Sequence, residues 1–310
     1  MKTTLLFPGQ GAQKVGMGAD VYQAYPEARQ VFDQADEVLG FSLSKLCFDG
    51  PEDVLTDTAN AQPAILVTSL AAYKALGARV PVADCMAGHS LGEYSALVAS
   101  GALALRDAIS LTRERGQWMK RAGERTPGGM VAILNLEDAV LEDVCTRAAR
   151  DTGGVVQIAN YNSPGQIVIS GDQVTLDRAV ELAKERGARR VIPLAVSVAT
   201  HSPLMAYASD GLRKALHQVT FSDPQVPVIA NVTGQALSSA AGVEHELVSQ
   251  LTSPVRWTAS VQEMLSRGVQ RFIEIGPGTV LTGLVRRMDK AVEIVNLNDA
   301  SSLRVFLEGA

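Results

Sequence analysis

Cysteine is scarce in this chain. Cys47, Cys85 and Cys145 stand far apart, form no CxxC pair and match no metal-ligand spacing. They read as buried apolar thiols in a reducing compartment, which sets aside a disulfide scaffold and a zinc site. Histidine is limited to four residues, so a general base has few candidates. Aromatic residues make up only 5% of the chain, which leaves the core to aliphatic side chains. A basic run is missing as well. The net charge is −5 with both signs spread along the chain, and no stretch would track a nucleic-acid backbone. No apolar run approaches the roughly 18 residues of a membrane span. The first strand turns at Pro8-Gly9, too soon for the apolar region of a signal peptide. The expectation is a cytoplasmic protein that binds neither nucleic acid nor membrane.

What is present is a pattern of alternating strands and helices over 310 residues, 46% of them hydrophobic. Strand character at 3–7 is followed by helical periodicity at 27–39 and 64–76, then at 107–122. From Pro127-Gly128-Gly129 the order changes. Strand 130–134, helix 141–150, strands 155–159 and 166–170 around the turn Asn162-Ser163-Pro164-Gly165, helix 176–186 and strand 190–194 spell β-α-β-β-α-β. That is the ferredoxin-like split unit. The α/β pattern then resumes with helices at 205–219, 259–267 and 280–288 and strands at 226–231, 271–275 and 292–297. The predicted organisation is a large discontinuous domain at 1–126 and 196–310 and a small inserted domain at 127–195, with a cleft between them.

Gly88-His89-Ser90-Leu91-Gly92 reads Gly-x-Ser-x-Gly between an apolar strand and a helix. Such a serine sits on a tight elbow with its hydroxyl exposed and a helix N-terminus behind it. A serine hydroxyl needs a base at neutral pH. His89 is its direct neighbour and points away. His217 and His245 lie among charged residues. His201 falls just after the small domain, at a strand-to-helix junction before Ser202-Pro203, where it is either the base or a helix cap. Arg115 lies on the apolar stripe of its helix with Ala108, Leu111, Thr112 and Met119. It needs an anionic partner, either an internal carboxylate such as Glu93 or Asp107 or the carboxylate of a substrate. Gly9-Gln10-Gly11 and Gly276-Pro277-Gly278 have the wrong spacing for a dinucleotide loop, and neither contains Gly-Lys-Ser/Thr. Gly9-Gln10-Gly11 reads instead as backbone brought close to a reactive group.

Together these residues resemble the malonyl-CoA:acyl carrier protein transacylases and related acyltransferases of fatty-acid and polyketide synthesis. The resemblance runs through 7–11, 88–94, Arg115, 160–166, 201–205, 250–255 and 274–278. It implies a hydrolase-like α/β core with a parallel sheet plus the inserted ferredoxin-like domain. It further implies that Ser90 is the nucleophile and His201 its base. Backbone N–H groups of Gln10 and Leu91 would form the oxyanion hole, and Arg115 would hold the malonyl carboxylate. The Gln250 carbonyl would orient His201, and Asn160 and Asn162 would lie near the pantetheine arm. The implied partners are malonyl-CoA and an acyl carrier protein, with no metal and no cofactor beyond the coenzyme A thioester as substrate. Val198-Ala199-Thr200 before His201 departs from the phenylalanine or serine that many malonyl members carry there. That departure leaves malonyl against methylmalonyl open, and fatty-acid against polyketide supply. A serine thioester hydrolase and a non-catalytic carrier-docking module are the other readings.

Overall fold

A computed structural model describes residues 1–194, 196 and 198–309. Strands β1 (Thr3–Phe7) and β2 (Cys85–Gly88) open a larger sheet. Strands β3 (Gly128–Leu134), β4 (Val156–Ser163), β5 (Gln166–Asp172) and β6 (Arg190–Pro193) form a smaller one. Strands β7 (Val228–Ile229), β8 (Ala236–Leu237), β9 (Arg271–Ile275) and β10 (Glu293–Leu297) return to the larger sheet.

The larger sheet has the order β10-β9-β1-β2-β7-β8, parallel except for the short edge strand β8. Its central strands are buried along their whole length, β1 as Thr-Thr-Leu-Leu-Phe and β2 as Cys-Met-Ala-Gly. Burial on both faces is the reason they read as continuous rather than alternating apolar runs. Phe7 pairs with Gly88, so the loops leaving β1 and β2 emerge side by side. These are Pro8-Gly9-Gln10-Gly11 and His89-Ser90-Leu91. They open at the carboxyl edge of a parallel sheet, where α/β proteins bind ligands.

The smaller sheet has the order β4-β5-β3-β6 and is antiparallel throughout. In its own chain order that is 2-3-1-4, the ferredoxin-like arrangement the sequence pattern predicts. Its helices, Asp138–Thr152 and Gln173–Glu185, bury Leu141, Val144, Leu176 and Leu182 against Val131, Ile133, Ile167 and Ile169. The expected boundary at 195/196 touches Ala195, and the chain end touches Ala310; both lie outside the described residues.

Several elements differ from expectation. The strand expected at 226–231 is only Val228–Ile229, and Asn231 instead uses its side chain on the elbow. The turn expected at 162–165 narrows to Pro164-Gly165, which places Asn160 and Asn162 on β4 itself. The helix expected at 205–219 opens with a 3-10 turn, Pro203–Met205, before the α-helix Ala206–Leu216. The helix expected at 64–76 begins at Thr58, capped by Asp57, and carries Pro63 inside it. Proline cannot donate to the carbonyl four residues back. That carbonyl, on Ala59, accepts from Arg113 Nη1 at 2.8 Å instead. Helix Ala240–Gln250, which ends at Gln250, has no counterpart in the sequence reading, and neither does Ala300–Gly309.

Candidate active site

The elbow is built by close backbone approach. A Cβ on Gly88 would lie 1.9 Å from the Gly92 carbonyl carbon, and one on Gly92 would lie 2.0 Å from Phe7 O. Only glycine permits this packing of helix Gly92–Ala99 against the sheet. Ser90 is driven to φ 51°, a left-handed conformation that a non-glycine residue holds only under constraint. The constraint comes from Asn231. Its Oδ1 accepts from Ser90 N at 2.6 Å, and its Nδ2 donates to Gly88 O at 2.7 Å. The Gly9 loop closes the other side, since a Cβ there would meet His89 O at 2.3 Å. Among the described residues, the Gln10 and Leu91 N–H groups have no hydrogen-bond partner.

His201 reaches the elbow from the segment that follows the small sheet. It too is left-handed, φ 59°, and it is buried. Its Nε2 lies 2.8 Å from Ser90 Oγ. Its Nδ1 lies 2.9 Å from Gln250 O and 3.2 Å from Ser253 O. Two carbonyls can only accept, so Nδ1 carries the proton and Nε2 presents its lone pair to the serine hydroxyl. Burial, helped by the Arg115 charge, pushes the imidazole pKa down to about 3. The ring is therefore neutral at physiological pH. Gln157 Nε2 of β4 fixes the His201 backbone by donating to its carbonyl at 2.7 Å.

Arg115 is almost wholly buried and points at the same atom. Its Nη2 donates to Ser90 Oγ at 3.0 Å and to Gln250 Oε1 at 2.9 Å, and its Nη1 donates to Gln62 Oε1 at 2.7 Å. Neither carboxylate considered from sequence pairs with it. Among the described residues no carboxylate lies within ion-pair distance of Arg115, and its Nε has no partner. Glu93 is close by, but burial and the neighbouring Glu246 raise its pKa well above the carboxylate range. Glu93 accepts from Gln250 Nε2 and from Asn231 N. A buried guanidinium with spare N–H groups and no counter-ion among the described residues can receive an incoming carboxylate.

Gln250 ties the site together. Its main-chain carbonyl meets His201, its Oε1 meets Arg115, and its Nε2 donates to Ser90 O at 3.0 Å. Asn162 meets His89 Nε2 at 2.8 Å, so His89 is occupied away from the serine hydroxyl and links the elbow to β4. Asn160 is buried on β4, where Tyr161 N and Val255 O, and Val255 N and Ala159 O, stitch that strand to the larger unit. The structure thus brings Ser90, His201, Arg115 and Gln250 into contact and seats Asn162 beside them. Exposed His217 pairs with Glu244, and His245 is exposed. Gln62, Asn231 and Gln157 escaped the sequence reading. Gln62 carried a signal, as an amide inside an apolar helical run; Asn231 and Gln157 carried none.

No helix among the described residues is long and apolar enough to cross a membrane. Among the described residues no group of three or more His, Cys, Asp or Glu could hold a metal.

The chain is 44% identical to a malonyl CoA-acyl carrier protein transacylase of Bacillus subtilis, over 99% of this chain and 96% of that one. It is 42% identical to that of Escherichia coli K12, over 98% of each. Among solved structures, an acyl carrier protein S-malonyltransferase from Vibrio cholerae superposes with a TM-score of 0.94 at 45% identity, over 98% and 99% of the two chains. A malonyl-transacylase in complex with a type II polyketide acyl-carrier protein superposes with a TM-score of 0.96 at 41% identity, over the whole of both. With residues 4–303 matching the acyl transferase domain model, the serine elbow, its histidine and its unpaired arginine sit in a chain that belongs to the acyl transferase domain family.

Proposed function

We propose that this protein is an enzyme that moves a malonyl group from coenzyme A to the phosphopantetheine thiol of an acyl carrier protein, supplying fatty-acid synthesis in the cytoplasm. The observation that carries the reading is Arg115: buried, without a counter-ion among the described residues, and 3.0 Å from the hydroxyl that would bear the acyl group. An acyl group attached there and ending in a carboxylate supplies the missing anion.

Ser90 Oγ attacks the thioester carbonyl while His201 Nε2 takes its proton. Charge develops on the carbonyl oxygen, which the Gln10 and Leu91 N–H groups receive. The C–S bond breaks, His201 returns the proton to the departing thiolate, and malonate remains as an ester on Ser90. The carrier thiol enters where coenzyme A left and the same steps run in reverse. The Gln250 carbonyl takes the place of a triad carboxylate by holding the Nδ1–H of His201. The chemistry exchanges one thioester for another, so it calls for no metal or redox cofactor. Residues 1–126 and 196–310 would supply nucleophile, base and guanidinium. Residues 127–195 would supply Asn160 and Asn162 for the pantetheine arm.

Replacing Arg115 by alanine removes the charge-assisted hydrogen bonds proposed to hold the malonyl carboxylate, so kcat/KM for malonyl-CoA is expected to fall by about 100-fold or more. The rate with acetyl-CoA should hold or rise. Equal losses for both thioesters would remove Arg115 from carboxylate recognition. A thioester hydrolase would release free malonate as fast without carrier protein as with it. The proposal requires release to be slow until a carrier thiol is added.

A further inference from the structure

Beneath the site runs a row of hydrogen bonds that the reaction as written does not use. Arg115 Nη1 donates to Gln62 Oε1 at 2.7 Å, Gln62 Nε2 donates to Thr58 Oγ1 at 2.9 Å, and Thr58 Oγ1 donates to Gln10 Oε1 at 2.9 Å. The direction of the first two links follows from the guanidinium, and the third runs from the Thr58 hydroxyl to the Gln10 oxygen. A guanidinium can only donate, so Gln62 must turn its oxygen toward Arg115 and its amide nitrogen toward Thr58. The Thr58 hydroxyl accepts that bond and sends its own proton to Gln10. Bonds aligned head to tail polarise one another, and a positive charge stands at the head of this row.

The spacing is built into one element. Thr58 and Gln62 are four residues apart on helix Thr58–Ala75 and share a face. Gln62 is fully buried, and its Nε2 also lies 3.1 Å from Met119 Sδ, so its rotamer is fixed. The row therefore joins the guanidinium expected to hold the acyl carboxylate to the side chain whose own backbone N–H is expected to form the oxyanion hole.

We propose that Gln62 and Thr58 are positioning residues that couple recognition of the acyl carboxylate to alignment of the Gln10 loop. The inference rests on the functional reading above. When an acyl group ends in a carboxylate, the guanidinium turns from Ser90 Oγ to the new anion. Its shift at Gln62 is passed through Thr58 to Gln10, and the hole is set for the developing oxyanion. An uncharged acyl group leaves Arg115 on the serine hydroxyl and the row at rest. Part of the selectivity for carboxylate-bearing acyl groups is then expressed in the rate of acylation rather than in binding, because the coupling acts in the transition state.

The test is rapid-mixing acylation of Ser90, read as intact mass, with malonyl-CoA and acetyl-CoA in parallel. Thr58→Val keeps the shape and removes the hydroxyl. Its malonyl acylation rate is expected to fall about tenfold, with KM for malonyl-CoA and the acetyl rate each within about twofold of the parent. Thr58→Ser restores the hydroxyl and is expected to restore the malonyl rate. Gln62→Met cuts the row one link earlier with volume conserved. It should show the same malonyl-specific loss, and it carries the test if Thr58→Val fails to fold. Equal losses with both thioesters, no loss with either, a change confined to KM, or a serine variant as slow as the valine one would each overturn the coupling. A parent protein that takes no malonyl group at all would instead overturn the functional reading, and the coupling would fall with it.

Discussion

A neutral histidine next to a buried guanidinium is the residue-scale fact from which most of the chemistry follows. His201 cannot hold a second proton easily, because its pKa is pushed from 6.5 to about 3 by burial and by Arg115. With its lone pair on Ser90, it can act as the base the proposal requires. The acylation rate should therefore show no histidine limb near pH 6.5, and kcat/KM for malonyl-CoA should stay flat from about pH 8 down to about pH 5. A protonation midpoint near 6.5 in that profile would contradict the assigned state. The same shift has a sign for stability. The unfolded chain binds the proton at 6.5 and the folded one only near 3, so folding loses stability as pH falls through that window. At this scale the sequence was informative where chemistry is unusual: a serine between glycines, a histidine after the small unit, an arginine on an apolar stripe. It was silent on Asn231 and Gln157, whose roles arise from neighbours 141 and 44 residues away.

Elements decide how those residues meet. The elbow exists because β1 and β2 are adjacent and parallel and because helix Gly92–Ala99 touches the backbone of Phe7. Gly92→Ala would put a Cβ 2.0 Å from Phe7 O. It is expected to cost at least the roughly 1–3 kcal/mol of ordinary overpacking and to lower the urea midpoint, with acylation lost in step. An unchanged midpoint would mean the elbow has slack that the geometry denies. Periodicity located the longest helices and the strands of both sheets except the edge strand Ala236–Leu237. It missed helix Ala240–Gln250, whose exposed and buried positions are mixed: Glu246 is buried beside exposed His245. It also started the Thr58 helix late, just past Pro63, whose missing bond to Ala59 O is replaced by one from Arg113. That late start hid Thr58 and Gln62.

At the scale of the molecule, a parallel sheet offers Ser90 and the Gln10 loop from its carboxyl edge, while a second, antiparallel sheet lays β4 against the segment around Val255. The β-α-β-β-α-β order was legible because each of its elements has clean periodicity and its own core. Part of the contact between the two units was not, because it includes backbone pairs at Ala159, Tyr161 and Val255, which leave no trace in side-chain pattern. The three thiols, Cys47, Cys85 and Cys145, are free and buried across these cores, with Cys47 and Cys145 pushed up to about 12 by burial. A folded sample should resist iodoacetamide at neutral pH, whereas an unfolded one should be labelled at all three. Labelling of the folded protein would show that these cores open. The central claim is that Ser90 carries a malonyl group destined for a carrier thiol. Intact mass spectrometry of the full chain mixed with malonyl-CoA tests it most directly. The account predicts one malonyl adduct on the parent, none on Ser90→Ala, and loss of the adduct when a phosphopantetheinylated carrier protein is added. An unmodified parent, or an adduct that persists on Ser90→Ala, would contradict it.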